Sequence, residues 1–430
     1  MSFQISTSYK RPSLRPLILP HTDESAGDAN AEFTQSQSWI SSTHAFHGSE
    51  DRDESTAWPP ARFRDDPAAI PNDEAHNIPY DASNEPKNTT FELYAKQRKE
   101  DEASRVPPPI LVAKRYIPTS KAVASQGITL LTLTGMGVPK EMFEPILQNL
   151  LPLLQKSGVK VEEVWAIDMP MSGQTAKANP KGYLYANEKD ITRDLLLFVT
   201  SYLPLRPGED LPKHLQPRKP TGQAQQLTRG NLHVFAHSLG AQAAILASVH
   251  APDVFKSLTL IDPAMVPAGS INDAMSKYPK DVLCLGLSKE YPDRNAVEKE
   301  LRGNKRTRNW DNRAIRAFSE YGLEPSDTTG FRLVAHPRLE WALYYDKQTP
   351  AECYDRFTDI SVPLHMIMPK RPFAAPAKMF QADVKKLKNK TQVRWVDGAT
   401  HQIVYEKMDT CTEFLAHWLT EMAGKEKAHL

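Results

Sequence analysis

The sequence predicts a doubly wound α/β fold with a mostly parallel sheet and a helical insertion late in the chain. Three observations carry the prediction. Short apolar runs recur from about residue 89 onward, stretches of helical period separate them, and one run ends in a small-residue turn around a serine. Continuous apolar runs fit strands buried on both faces of a parallel sheet, whereas half-exposed strands alternate. Strand and helix in alternation then call for right-handed crossovers.

Taken in order, residues 1–88 are rich in Ser, Asp, Asn, Ala and Pro, with scattered aromatics. Such a stretch offers too little apolar surface to offset its ordering entropy, and a disordered polar extension is expected. From residue 89 the texture changes. FELYAK (91–96) and LVAKRYIP (111–118) read as strands, the second closed by a proline. ITLLTL (128–133), VEEVWAID (161–168), NLHVFAH (231–237), SLTLID (257–262), PLHMIM (363–368) and QVRWV (392–396) follow. EMFEPILQNLLPLLQKSG and GAQAAILASVHAPDVF supply helices between them. Residues 201–230 read as a surface insertion. Residues 263–357 are too long for a crossover and carry helical patterns such as RAIRAFSEYGL and HPRLEWALYYD. They are expected to form a helical cap over the strand ends. The body is then 89–262 with 358–424, and 425–430 a flexible tail.

Composition bounds the function. The chain has 430 residues, enough for one large domain with an insertion. Lys plus Arg (53) nearly cancels Asp plus Glu (52), so no overall field draws it to nucleic acid or anionic membrane. Cys284, Cys353 and Cys411 lie far apart with no C-x-x-C spacing, which argues against a disulfide framework or zinc ribbon and suits a reducing compartment. No run approaches the roughly 18 apolar residues of a membrane span, and the first residues lack the pattern of a secretory signal. A soluble intracellular protein without cofactor or metal is expected.

The chemistry concentrates at Ala236-His237-Ser238-Leu239-Gly240-Ala241. An apolar strand precedes it and a helix follows, the context of a nucleophile elbow, where small neighbours let strand and helix approach and lift the hydroxyl clear. A helix-capping serine is the plain alternative. A serine hydroxyl needs an adjacent base. His401, in the loop Asp397-Gly398-Ala399-Thr400-His401 after the last strand, is placed to be that base. His237 adjoins the nucleophile and cannot bend back to it, and His365 lies inside a strand.

These pieces resemble the α/β-hydrolase superfamily over roughly residues 89–424. Gly135-Met136-Gly137, Lys140-Glu141, Phe143-Glu144-Pro145 and Val164-Trp165-Ala166-Ile167-Asp168-Met169-Pro170 are similar to one branch. That branch comprises fungal peroxisomal and toxin-biosynthesis hydrolases, including the acyl-CoA hydrolase of mycophenolic acid biosynthesis. The resemblance implies a Ser-His-Asp triad acting on an acyl ester or acyl-CoA thioester. The usual acid position falls in PKRPFAAPAKMF, which has Pro372 and no carboxylate before Asp383. The alternative position in the fold, at the end of the strand after the elbow helix, holds Asp262, the expected acid. The backbone N–H groups of Leu239 and Met136, with Gly137 as a further candidate, are the expected oxyanion donors. Asp168 is expected to be structural. Ala428-His429-Leu430 has the small-basic-leucine form of a peroxisomal address, which implies the peroxisomal import receptor as a partner and the cytoplasm as the alternative location. The run Arg302, Lys305, Arg306 and Arg308 reads either as a solvated face or as a contact for CoA phosphates. A lipase or carboxylesterase on another ester, and a ligand-binding protein that keeps the fold without catalysis, are the competing readings.

Overall fold

The computed structural model describes residues 30–32, 39–49, 109–119, 127–170, 172–179, 188–218, 229–271, 288, 290–335, 348–372 and 377–427. Its strands are β1 (Asn30–Glu32), β2 (Trp39–His47), β3 (Ile110–Pro118), β4 (Ile128–Leu133), β5 (Val161–Ile167), β6 (Leu232–His237), β7 (Ser257–Ile261), β8 (Glu290–Tyr291), β9 (Leu323–Ser326), β10 (Gly330–Leu333), β11 (Leu364–Pro369) and β12 (Thr391–Val396). The helices are α1 (Glu144–Lys156), α2 (Gly173–Ala178), α3 (Glu188–Leu197), α4 (Ser238–His250), α5 (Arg294–Gly303), α6 (Asn312–Tyr321), α7 (Gln348–Arg356), α8 (Ala377–Val384), α9 (Ile403–Glu406) and α10 (Met408–Lys427).

Nine strands form one sheet in the order β1-β2-β3-β5-β4-β6-β7-β11-β12. The stretch from β5 to β12 is parallel, and β3, β2 and β1 add to it antiparallel. The central strands β4, β6 and β7 are buried at every residue, as both faces carry helices. Alternation along a strand sends successive side chains to opposite faces. Leu131 and Leu133 of β4 thus join α3 and α4 in one core, while Ile128 and Leu130 join α1 and α10 in the other. The α4 helix is buried along its whole length and has no amphipathic stripe, the pattern of a helix packed on all sides.

Four expectations need correction or limit. Residues 39–47 form β2, paired with β3 along all nine residues, where disorder was expected through residue 88. Backbone pairing organises that stretch: among its buried side chains are Ser41 and His44 beside Phe46. The insertion after residue 201 is not wholly superficial, because Leu215 is buried and Ala45 of β2 exchanges backbone hydrogen bonds with it and Lys213 (Leu215 N to Ala45 O, 2.8 Å; Ala45 N to Lys213 O, 2.6 Å). That contact covers an edge that would otherwise stay open. The segment after β7 is mixed: β8, β10 and β9 make a small antiparallel sheet beside α5 and α6, while α7 packs on α4 in the body. The α10 helix continues to Lys427, into the stretch expected to be a flexible tail from residue 425. The strand expected at 91–96, the helix expected at 336–346, Cys284 and Ala428-His429-Leu430 lie outside the described residues. Among the described residues no helix is long and apolar enough to cross a membrane.

Candidate active site

The parallel strands end on one side of the sheet, and the singled-out residues meet there. Ser238 is the first residue of α4, directly after β6, with φ 53°. Only close packing forces a residue with a side chain into that region. A Cβ on Gly240 would lie 2.6 Å from the carbonyl oxygen of Thr134 and 2.7 Å from Leu133 Cβ. The start of α4 therefore sits against the end of β4, and Gly240 is what lets it. The serine turn is the geometric consequence.

Asp262 follows β7, is wholly buried, and has φ 33°. Ser238 and Asp262 are the non-glycine residues with positive φ among the described residues. The carbonyl oxygen of Ser238 accepts from Ala264 N at 3.1 Å, which ties the two turns together. His401 stands between β12 and α9. Its Nε2 is 2.8 Å from Ser238 Oγ and its Nδ1 is 2.8 Å from Asp262 Oδ2. With the proton on Nδ1, the imidazole donates to the carboxylate and accepts from the serine hydroxyl. Residues 238, 262 and 401, which the sequence singled out, are thus joined in one hydrogen-bonded line.

The other carboxylates weighed for this role are engaged elsewhere. Asp383 accepts from Tyr354 Oη and from Lys386 Nζ, both at 2.6 Å. Asp397 pairs with Lys370 on the surface. Burial pushes the Cys411 thiol up to about 12 and raises that of Cys353 as well, so neither offers a thiolate.

The loop Thr134–Val138 leans over the serine. Thr134 Oγ1 donates to Val138 O at 3.2 Å, Gly137 has φ 76°, and a Cβ on Gly135 would stand 3.2 Å from Ser238 Cβ. Gly135 thus stands beside Ser238, Met136 and Gly137 follow it in the same loop, and Leu239 is the next residue along α4.

His237 has a place the sequence did not reveal. It is 2% exposed, and its Nε2–H donates to the backbone carbonyl of His401 at 2.8 Å. Burial, with the neighbouring His401, holds it well below the usual histidine range, so the ring stays neutral. Neutral and turned to that carbonyl, it pins the loop that carries His401. No sequence signal marks a contact across 164 residues. Of the basic run, Arg302, Lys305 and Arg308 are exposed, and Arg306 alone turns inward, its Nη2 3.5 Å from Met136 O.

This architecture is shared. The peroxisomal alpha-beta-hydrolase Lpx1 of Saccharomyces cerevisiae superposes over 90% of both chains with a TM-score of 0.64 at 16% identity. The chain has the α/β-hydrolase fold. No family model matches the chain. Among curated proteins, the chain is 29% identical over 153 residues to the type I acyl-CoA thioesterase mpaH' of Penicillium brevicompactum, covering 35% of this chain and 30% of the relative. It is 26% identical over 222 residues to the type I acyl-CoA thioesterase mpaH of Penicillium roqueforti, covering 48% of this chain and 43% of the relative. The matches thus span less than half the length of those relatives.

Proposed function

We propose that this α/β-hydrolase is a serine hydrolase that cleaves an acyl ester or thioester with Ser238, His401 and Asp262. The observation that carries the reading is the unbroken line Ser238 Oγ, His401, Asp262, with both links at 2.8 Å. The hydroxyl oxygen attacks the substrate carbonyl carbon while His401 Nε2 takes its proton. Charge on the carbonyl oxygen is met by the N–H groups of Leu239 and Met136, with Gly137 the further candidate. Asp262 keeps the imidazole in the productive tautomer and stabilises it once protonated. His401 then returns the proton to the departing oxygen or sulfur, leaving an acyl-serine. A water, deprotonated by His401, releases the carboxylic acid and restores the hydroxyl.

The thioester reading rests on the names of the Penicillium relatives, acyl-CoA thioesterases matched over part of their length. Peroxisomal import through Ala428-His429-Leu430, and with it a place in secondary metabolism, rests on that tripeptide and on the family branch it resembles. A likeness at 16% identity carries the fold and not the compartment.

A fluorophosphonate probe tests the chemistry. Wild type is labelled and Ser238→Ala is not; a protein that binds ligands without catalysis leaves both unlabelled. Rates on acyl-CoAs against matched simple esters then separate thioesterase from carboxylesterase. For location, an N-terminal fluorescent fusion collects in peroxisomes and spreads through the cytosol once the last three residues are removed. A diffuse signal from the intact fusion refutes the address.

A further inference from the structure

A pocket of about 420 Å³, counting the part open to solvent, lies between the loop beside Ser238 and the cap. Gly137 and Val138 form its body side, and Leu301, Arg306, Trp310 and Phe318 are among the cap residues that face them. Gly137 and Val138 belong to the loop whose Gly135 stands against Ser238. Its wall is apolar apart from a few polar groups, the usual make-up of a small-molecule site.

Two donors stand on that wall, the Arg306 guanidinium and the Trp310 indole N–H. Arg306 is the only cationic side chain among the described residues of the lining, and no carboxylate is among them. Its turn is held firmly, since Asn304 Oδ1 accepts from Arg306 N at 2.8 Å and Thr307 Oγ1 donates to Leu301 O at 2.5 Å. Trp310 is 5% exposed, and its indole Nε1–H has no hydrogen-bond partner among the described residues. A buried donor without an acceptor is costly, and such groups are rare unless something else satisfies them. The ring itself is fixed by Tyr405 at 5.0 Å and Phe318 at 5.9 Å, so the N–H cannot readily turn away.

We propose that this pocket binds an anionic group of the substrate, a carboxylate or a phosphate, through Arg306 and the Trp310 indole N–H, with an aliphatic stem lying on Leu301 and Phe318. The proposal rests on the serine-hydrolase reading for its orientation, and it sharpens the substrate class from any acyl ester to one that carries negative charge. A guanidinium suits either anion because its donors are planar and paired. The charge comes from one of two sources, the far end of the acyl chain or the leaving group.

Matched pairs distinguish the sources. Methyl hydrogen glutarate against methyl butyrate varies charge on the acyl chain, and butyryl-CoA against S-butyryl-N-acetylcysteamine varies it on the leaving group. Wild type is expected to prefer the charged member of one pair in kcat/KM. Arg306→Gln reduces that preference about 10- to 100-fold, the worth of a hydrogen bond to a charged group. Trp310→Phe, which keeps the ring and removes only the N–H, reduces it about 3- to 10-fold. Calorimetric binding of methyl hydrogen glutarate and of CoA to Ser238→Ala protein reads the pocket without turnover. Binding that Arg306→Gln weakens, in a protein that neither labels nor hydrolyses, retains the anion site and sinks the hydrolase reading. Hydrolysis with no charge preference in either pair, or a preference that Arg306→Gln leaves within twofold, overturns the anion site.

Discussion

Two aspartates end parallel strands of the same sheet, and both are almost fully buried: Asp168 after β5 at 1% exposure and Asp262 after β7 at 0%. Their surroundings differ. Asp168 accepts from Lys140 N, Lys140 Nζ and Gln174 N, each at 2.8 Å, from groups that never leave it. Lys140 is itself shut in, pairing also with Glu141 at 2.9 Å. Asp262 faces the imidazole of His401, whose other nitrogen meets the Ser238 hydroxyl, and it does so from a backbone turn with positive φ. Burial of a carboxylate is therefore no guide to its work. A carboxylate satisfied by fixed donors holds a loop in place. One aimed at an imidazole that also meets a serine hydroxyl, from a strained turn, suits the role proposed for Asp262.

The strongest way to break that contrast is to neutralise each carboxylate in turn. Asp262→Asn is expected to lower kcat about 10⁴-fold, because the amide no longer holds the imidazole in its productive tautomer, while urea unfolding shows a protein still folded. Asp168→Asn is expected to do the reverse. Leaving the buried Lys140 ammonium short of its partner costs about 3–5 kcal/mol in unfolding free energy, while kcat per fluorophosphonate-titrated site stays within a few-fold of wild type. If Asp168→Asn slows turnover as much as Asp262→Asn, the contrast is wrong.

A smaller effect sharpens it through His237, which acts on the site from the structural side. His237→Phe removes the donor to the His401 carbonyl and is expected to lower kcat about 10-fold with KM little changed. His237→Gln, which can present an N–H at the same point, is expected to recover most of the rate. Equal losses in both variants, or a loss confined to KM, exclude a positioning role.

The mildest test is pH. Burial pushes His365 down to about 3 and His250 to about 4, so both are neutral in the folded chain where an unfolded histidine already binds a proton. The unfolded state then holds more protons, and stability rises with pH in that window. Thermal melting should be flat above about pH 6.5 and fall as pH drops from there toward 4. Each histidine contributes at most about 1.4 kcal/mol per pH unit. His365→Gln should reduce the slope. An unchanged slope would place the acid sensitivity in the carboxylates instead.

Much of the fold and of the site is legible in the amino-acid sequence. Strands β3, β4, β5, β6, β7, β11 and β12 fall within a residue or two of the runs read as strands, and β4, β6, β7 and β11 are buried at every residue, as central parallel strands must be. The serine turn is legible because small residues cluster where a strand and helix nearly touch. β2 is not, because its order comes from backbone pairing with β3 and its sequence, WISSTHAFH, buries polar side chains. The mixed character of the cap escapes for a related reason: β8, β9 and β10 are two to four residues long, too short to establish a period.

What the sequence determined by itself was the order of the parts: serine after β6, aspartate after β7, histidine after β12. Local spacing encodes that much, since each side chain is set by the few residues around its turn. The closing of the 2.8 Å links across 139 and 163 residues was decided by the tertiary structure alone. So were the anchoring of His401 by His237 and the inward turn of Arg306 among three exposed neighbours. The physical reason is the same in each case. A contact between distant segments depends on how two packed layers meet, and no window of sequence holds both sides of it.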